Sequence, residues 1–309
     1  MTSSEFQNVM GFLNGNIYSK LKNIPEEIKN DIQEIRLRVN RQLCLSVGRS
    51  IYYVTQNGCV TNTILKDNMF IVSARDIMET FNNICNFSVY SKQNEIKNGY
   101  ITLKGGHRAG ICGTAVFDNN KISNIKDISS INIRVAKEFK NCSNILFEKI
   151  KSFTGGVLIC GSPCSGKTTL IRDFARKLSY TQKVSVIDSR CEIAATYKGI
   201  PQKDIGICDV LNGYSKADGF NHAIRCMSPD YIICDEIGSA EDVLSIENAV
   251  NCGAYVIATA HCANKTELLN KNNLKKLLEI NAFKYVVFLD NHSKPLQSLQ
   301  VNKVADFIS

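Results

Sequence analysis

The chain of 309 residues has no tryptophan, few prolines and few histidines, and it has no long apolar run. No stretch approaches the roughly 18 apolar residues of a membrane-spanning helix, so we expect no transmembrane segment. The cysteines form no CxxC pair and the four histidines have no zinc-site spacing, which argues against a structural zinc centre. Residues 1–6 show neither the basic nor the apolar part of a secretory signal. These absences predict a cytoplasmic protein.

Thirteen cysteines are many, yet they indicate a reducing compartment. Most of them lie inside apolar runs, where cysteine behaves as a small hydrophobic residue. Hydrophobic residues make up 44% of the sequence and the mean hydropathy is −0.10, values typical of a folded globular protein. The net charge of +8 is spread along the chain, so it is only a weak indication of nucleic acid or an anionic membrane as a partner.

The first 140 residues have the pattern of an α+β domain. Strands are predicted from period-2 alternation and glycine turns at residues 34–39, in the pair 44–54 and in the hairpin 99–110. Ser73 and Asp76 form a capping-box pattern that starts a helix. We therefore expect an N-terminal α+β domain over residues 1–140, with a boundary at residues 141–144.

From residue 155 onward, short apolar runs alternate with helical patterns. The strand candidates are residues 157–160, 184–188, 231–234, 255–259 and 285–289. The helical patterns cover residues 170–178, 217–227, 239–250 and 266–280. Such alternation predicts a mostly parallel sheet with helices on both faces. Residues 141–309 are therefore expected to form an α/β domain.

A phosphate-binding P-loop pattern follows the first of these strands. It consists of Gly161, Ser162, Pro163, Cys164, Ser165, Gly166, Lys167 and Thr168, with Thr169 next. Glycines let backbone N–H groups curl around phosphate oxygens, and the start of a helix adds positive potential. Lys167 would reach the β- and γ-phosphates, and the Thr168 hydroxyl would bind Mg²⁺. An ordinary glycine-rich turn is the alternative, but the strand–turn–helix order favours a nucleoside triphosphate site. Together with the strand–helix alternation, this motif predicts that residues 141–309 form a RecA-like P-loop NTPase core.

Two carboxylates end the strand candidate at residues 231–234. Asp235 would hold Mg²⁺ through water, and Glu236 would polarise the attacking water as a general base. At the carboxyl end of a parallel strand both would lie beside the P-loop. The alternative is an acidic cap of the next helix, although Ser239 fills that position better.

Further polar residues follow the neighbouring strands. Along the chain, the strand at residues 184–188 lies between the P-loop and the carboxylate pair. This additional strand and the acid at Glu236 are typical of P-loop proteins that hydrolyse nucleotides, as opposed to kinase-like P-loop enzymes. Asp188 and Glu192 would face the γ-phosphate or, alternatively, form a solvated turn. His261 follows another strand and would sense the γ-phosphate by hydrogen bonding, or be an ordinary satisfied polar group.

Taken together, these segments resemble the stage III sporulation protein AA family, which is related to the type II and type IV secretion and pilus ATPases. The resemblance covers nearly the whole chain. In the first half it rests on EIRLRVN (34–40), GYIT (99–102), GGHR (105–108) and NIR (132–134). In the second half it rests on the P-loop, YKGIPQ (197–202), RCMSPD (225–230) and ATAH (258–261).

The resemblance implies a cytoplasmic P-loop ATPase of the mother cell that acts as a homo-hexameric ring during endospore formation. It implies membrane proteins of a channel between mother cell and forespore as partners, and a peripheral position at the membrane. No nucleic acid is expected, because the sequence has no basic patch interleaved with aromatic residues. By analogy, Asp188 and Glu192 match the acidic segment of the secretion ATPases, Glu236 the catalytic acid, and His261 a downstream histidine. Arginines of the first domain would reach the nucleotide, with Arg108 and Arg134 as candidates; surface salt bridging is the alternative for each.

The chain departs from the family pattern at two places. Ser189 stands where a second acid is expected. An arginine is also expected within residues 283–285, but this segment is Phe-Lys-Tyr and ends at Tyr285. Either change would slow hydrolysis. The expected function is still an ATP-hydrolysing motor subunit that uses ATP and Mg²⁺. Two alternatives stay open: a nucleotide-gated structural ring with little or no turnover, and a nucleic-acid-dependent ATPase.

Overall fold

The computed structural model describes residues 3–48, 50–65, 67–89, 92–97, 99–118, 121–150, 154–163, 165–289 and 299–308. Two compact units follow each other along the chain, Met1–Lys137 and Glu138–Ser309. Within the described ranges, no helix combines the length and the apolar character that crossing a bilayer requires.

The first unit is built on a seven-stranded antiparallel sheet. The strands of this unit are β1 (Ile32–Arg38), β2 (Arg41–Gln42), β3 (Cys44–Val47), β4 (Ser50–Val54), β5 (Val60–Thr61), β6 (Ile71–Val72), β7 (Tyr100–Thr102), β8 (Arg108–Asp118) and β9 (Lys121–Arg134). The sheet order is β5-β4-β3-β1-β9-β8-β7, while β2 and β6 pair separately. The helices are α1 (Ser3–Met10), α2 (Gly15–Leu21), α3 (Glu26–Asp31), α4 (Ala74–Ile84) and α5 (Gln93–Lys97).

The local patterns of the first unit form as the sequence predicts. In β1, Ile35 and Leu37 are buried while their neighbours are more exposed, which is the period of a strand with one covered face. Ser73 and Asp76 form the predicted capping box at the start of α4, so the first backbone N–H groups of that helix are satisfied. The predicted β3–β4 and β7–β8 pairs are confirmed.

The second unit holds a seven-stranded sheet between two layers of helices. Its strands are β10 (Val157–Cys160), β11 (Val184–Asp188), β12 (Asp209–Asn212), β13 (Tyr231–Cys234), β14 (Tyr255–Ala260), β15 (Tyr285–Leu289) and β16 (Leu299–Lys303). Its helices are α6 (Asn144–Lys149), α7 (Lys167–Leu178), α8 (Lys216–His222), α9 (Ala240–Asn251), α10 (Lys265–Asn270), α11 (Asn272–Glu279) and α12 (Ala305–Ile308). The order is β12-β11-β13-β14-β10-β15-β16, and the pairs are parallel except β15–β16.

Both faces of this sheet are buried, which explains the continuous apolar runs of its strands. Val157 and Ile159 of β10 belong to the same buried cluster as Phe174 of α7. Leu158, between them, belongs to the cluster on the other face with Ile246 of α9. The predicted α/β fold with a doubly covered, mostly parallel sheet is therefore confirmed.

The strand order decides which residues meet at the carboxyl edge of the sheet. In space β14 lies between β10 and β13, and β11 lies on the far side of β13. The P-loop, the segment after β14, the segment after β13 and the loop after β11 therefore follow one another along this edge. That edge is where ligands bind in open parallel sheets.

Some elements differ from the sequence prediction. The helix expected at residues 217–227 ends at His222 and continues as a π-helical turn, Ala223–Met227. The helix expected at residues 266–280 is divided at Lys271, whose extended backbone separates α10 from α11. Strands β12 and β16 were not predicted, because both are short and partly polar.

Candidate active site

The P-loop turn depends on glycine at two positions. At Gly161 a Cβ atom would lie 2.4 Å from Ser165 Oγ, so the backbone can only pass this close without a side chain. Gly166 has a φ of 93° and caps α7 without a side-chain hydrogen bond. The first amide groups of a helix have no partner inside it, so the α7 terminus can accept an anion. The local geometry is that of a phosphate-binding loop.

Lys167 is folded over the same loop. It is 6% exposed, and its Nζ donates to the carbonyl oxygens of Gly161 at 2.8 Å and Ser162 at 2.7 Å. Thr168 and Thr169 are half-buried in the first turn of α7, and Pro163 is exposed on the loop. Cys164, which the sequence also predicts in the nucleotide site, lies outside the described residues.

Glu236 sits in a strained backbone position immediately after β13. Its φ is 38°, in the left-handed region that non-glycine residues rarely adopt. Three hydrogen bonds hold the turn: its N–H donates to Thr259 Oγ1 at 2.8 Å, its carbonyl accepts from Lys216 Nζ at 2.5 Å, and Ile237 N–H donates to the Thr259 carbonyl at 2.8 Å. Such a conformation costs about 1–3 kcal/mol and persists where surrounding contacts impose it.

His261 connects the Glu236 carboxylate to the P-loop lysine. Its Nδ1 lies 3.3 Å from Lys167 Nζ, and its Nε2 lies 3.0 Å from Glu236 Oε1. An ammonium group only donates, so Nδ1 is the acceptor and Nε2 carries the proton that is donated to Glu236. Burial and then the nearby Lys167 charge lower the pKa of His261, which favours this neutral form.

Asp235 is a buried acid directly after β13. It is 1% exposed, and among the described residues neither carboxylate oxygen has a hydrogen-bond partner. Burial, and then repulsion from Asp188, raise its pKa from 3.8 to about 6. A buried carboxylate with free lone pairs fits a divalent cation, either directly or through water. Asp235 is thus chemically suited to Mg²⁺, whereas a part for the Thr168 hydroxyl stays a prediction.

Asp188 holds the loop that follows β11. It is fully buried, and its two oxygens accept the N–H groups of Glu192 at 2.8 Å, Ile193 at 3.1 Å and Ala194 at 2.8 Å. These bonds face the loop rather than a ligand, which the sequence did not indicate. A part for Asp188 and Glu192 at the γ-phosphate stays a prediction.

The same loop is fixed from α7. The partly buried Arg172 guanidinium donates to the carbonyl oxygens of Glu192 at 2.6 Å and Ile193 at 2.5 Å. Burial lowers the pKa of Arg172, although the negative charges of nearby acids act in the opposite direction. Ser189, where an acid was expected, has a buried hydroxyl without a partner among the described residues. The loop between β11 and β12 is therefore anchored at both Asp188 and Arg172.

Arg108 and Arg134 are cross-strand neighbours in the first unit. They pair between β8 and β9, and Arg134 pairs with Glu34 on β1. Arg134 Nε lies 3.8 Å from Glu34 Oε1, and the Arg108 guanidinium lies 4.9 Å from the ring centroid of Tyr100. Both arginines have partners on their own sheet, and their reach to a nucleotide stays a prediction.

Tyr285, where an arginine was expected, begins β15. It pairs with Val157, the first residue of β10, so it lies at the amino end of these strands. The P-loop follows the carboxyl end of β10. This departure from the family pattern is thus remote from the P-loop edge of the sheet.

A cleft of about 880 Å³ opens beside Glu236 and His261. Arg190 and Lys216 line it, and neither was singled out from the sequence. Arg190 donates to Glu236 Oε2, and Lys216 begins α8 after its cap Ser215. The only sequence signal for Arg190 was its place in the segment after β11. No sequence signal pointed to Lys216, because a lysine at a helix start is common on protein surfaces.

The sheet order, the P-loop and the carboxylates at the same edge define a RecA-like P-loop protein with the secretion-ATPase fold. Two solved structures share this fold. The ATPase DotB of Yersinia pseudotuberculosis superposes with a TM-score of 0.57 at 15% identity, covering 89% of this chain and 76% of that one. The pilus retraction motor PilT superposes with a TM-score of 0.55 at 16% identity, covering 90% and 81%. At such identities the likeness concerns the fold.

Sequence comparison then shows the family. The family described as "Sporulation stage III, protein AA" matches residues 4–304. Stage III sporulation protein AA of Bacillus subtilis (strain 168) is 35% identical over 271 residues, which are 85% of this chain and 84% of that protein. The uncharacterized protein ycf45 of Porphyra purpurea is 30% identical over 201 residues, or 62% of this chain and 34% of that protein. The chain belongs to the stage III sporulation protein AA family.

Proposed function

We propose that the chain binds MgATP at the P-loop and hydrolyses it. The observation that supports this most is the connected series Glu236, His261 and Lys167, which links a carboxylate suited to a general base with the phosphate-binding lysine. A base must lie within hydrogen-bond reach of the water it activates, and the carboxyl edge of the sheet brings Glu236 beside the loop. The likeness to PilT, whose structure contains ADP, agrees with this fold being used for nucleotide.

The loop geometry accounts for nucleotide binding. Lys167 would exchange the carbonyl oxygens of Gly161 and Ser162 for the β- and γ-phosphate oxygens, replacing neutral acceptors by charged ones. The amide groups at the start of α7 would bind the remaining phosphate oxygens. Thr168 and Asp235 would hold Mg²⁺, which supplies charge stabilisation for the phosphoryl oxygens when bound.

In this proposal, Glu236 orients the attacking water. Its backbone is fixed by Thr259 and Lys216, and its carboxylate by His261, so little reorganisation is needed before attack. General-base assistance typically accelerates a reaction about 10²–10⁴-fold, which is the part of the rate assigned to this residue. Charge on the transferring phosphoryl group would be stabilised by Lys167 and by an arginine, for which Arg108 and Arg134 are the candidates.

The family and the fold suggest where this activity is used. We infer a motor subunit of a homo-hexameric ring in the mother-cell cytoplasm, recruited to the membrane by proteins of a channel that connects mother cell and forespore. The basis is membership of the sporulation family together with the fold of secretion and pilus ATPases. Nucleotide-driven movement of one unit against the other would transmit the cycle to these partners.

Nucleotide binding and assembly can be tested together. Equilibrium binding of ATP with Mg²⁺ is measured for the wild type, Lys167→Ala and the exposed control Lys183→Ala, while light scattering gives the molar mass. Lys167→Ala should lose binding and Lys183→Ala should keep it. If an arginine comes from a neighbouring subunit, turnover per subunit should also rise with protein concentration in step with assembly. A rate that is independent of concentration and mass would contradict the ring mechanism.

A further inference from the structure

We propose that Arg190 is a positioning residue for hydrolysis, which aligns the Glu236 carboxylate with the attacking water. This inference rests on the proposed ATPase function. Its basis is a direct contact: the Arg190 guanidinium donates to Glu236 Oε2, while His261 occupies Glu236 Oε1. Each of the two carboxylate oxygens is thus bound by a different residue, and these two residues follow different strands.

The backbone that carries Arg190 is rigid for reasons unrelated to the ion pair. Asp188 accepts three N–H groups of the residues that follow Arg190, and Cys191 N–H donates to the Asp188 carbonyl at 3.3 Å. Cys191 itself has a φ of 53°, so the chain turns sharply directly after Arg190. Arg172 holds the far side of the same loop. Arg190 therefore starts from a fixed Cα position, as a group that must orient another one requires.

The other end of the contact is equally restrained. The Glu236 backbone is bonded on both sides, to Thr259 Oγ1 and to Lys216 Nζ. What these bonds leave undetermined is the rotation of the carboxylate about its side-chain torsions. His261 alone would fix one oxygen and leave the other free to turn. Arg190 removes this freedom, because a guanidinium group has several donors in a rigid plane.

A carboxylate held in this way can still act on water. Each of its oxygens has two lone pairs, so one donor on each oxygen leaves acceptor sites open. The cleft beside Glu236 supplies access for water, and Arg190 forms part of its wall. Arg190 then sets which lone pair faces the cleft, without itself contacting the phosphate. Misplacement of such a group by about 1 Å can cost about 100-fold in rate.

The test compares turnover with binding. Steady-state ATP turnover and equilibrium MgADP affinity are measured for the wild type, Arg190→Ala, Arg190→Lys and the control Arg75→Ala. Arg75 also forms an ion pair, with Glu79, on the surface of the first unit. Arg190→Ala should lower kcat by about 10- to 100-fold while MgADP affinity stays within about twofold. Arg190→Lys should recover part of the loss, and Arg75→Ala should match the wild type.

A binding readout separates alignment from a merely structural effect. MgADP with aluminium fluoride mimics the transferring phosphoryl group and its attacking water. Arg190→Ala should weaken this complex by the same factor as kcat, and added guanidinium chloride should restore turnover where sodium chloride does not. A kcat for Arg190→Ala that equals or exceeds that of the wild type, with wild-type turnover intact, would overturn the inference alone. A wild type that binds MgATP but shows no turnover would overturn the proposed function and this inference with it.

Discussion

Replacing Asp235 by asparagine should stabilise the nucleotide-free protein and, at the same time, remove a proposed Mg²⁺ ligand. Asp235 is 1% exposed and has no hydrogen-bond partner among the described residues, so its charge is costly in the nucleotide-free protein. Burial, followed by the Asp188 charge, raises its pKa from 3.8 to about 6. At 1.36 kcal/mol per unit this shift corresponds to a penalty on the order of 3 kcal/mol once the carboxyl is ionised.

The sign of the pH dependence follows from this raised pKa. Between pH 3.8 and about pH 6 the folded protein holds a proton that the unfolded chain has lost. The free energy of unfolding therefore falls as the pH rises through this window, and the full penalty remains above it. Asparagine removes the charge but buries an amide group, which offsets about 1–2 kcal/mol of the gain. We expect a net gain of about 1–2 kcal/mol at pH 8 and a smaller gain at pH 5.

Thermal unfolding followed by circular dichroism, without nucleotide or Mg²⁺, measures this effect. For a unit of this size the expected rise in Tm at pH 8 is about 2–6 °C. Asp209→Asn, at an exposed position on β12, is the control and should change stability by less than about 0.5 kcal/mol. MgATP should raise the Tm of the wild type but not that of Asp235→Asn. A lower Tm for Asp235→Asn at pH 8, or an equal gain at pH 5 and pH 8, would refute the reasoning.

Three other variants test the supports of the site. Asp188→Asn keeps an acceptor oxygen for two backbone N–H groups but leaves the N–H of Ala194 unpaired. The free energy of unfolding should therefore fall by about 2–4 kcal/mol. Unchanged urea unfolding together with lost turnover would instead assign Asp188 to the substrate. Thr259→Val removes the acceptor of the Glu236 N–H, and kcat should fall at least about tenfold with ATP affinity retained. Burial raises the pKa of Asp173, but hydrogen bonds from Ser143 and Arg176 outweigh it and lower the value below 3.8. Its stabilisation is therefore present above about pH 4 and is lost as the pH falls further, so Asp173→Asn should flatten the acid side of the stability profile; an unchanged profile would contradict this.

Much of the fold was predictable because its signals are local. The strands β10, β11, β13, β14 and β15 are short runs of mostly apolar residues, and the capping boxes at Ser73 and Ser239 are complete within four residues. The P-loop needs only one segment, since its glycines, lysine and helix start are adjacent in the chain. Such features depend on neighbouring residues, so they are visible without a structure.

The rest depends on contacts between distant segments. The ion pair of Arg190 with Glu236 joins residues 46 positions apart, and no local pattern indicates it. The three backbone bonds of Asp188 could not be expected, because they require the left-handed turn at Cys191. A cation–carboxylate contact of this kind is set by strand order, which places the ends of β11 and β13 side by side.

The most direct test of the account is ATP turnover at saturating MgATP by the wild type and by Glu236→Gln, with ATP binding measured on the same samples. The wild type should hydrolyse ATP, and Glu236→Gln should bind ATP with similar affinity while its turnover falls by about 10²–10⁴-fold. Equal turnover by the two proteins, or an assembled wild type that binds ATP without hydrolysing it, would contradict it.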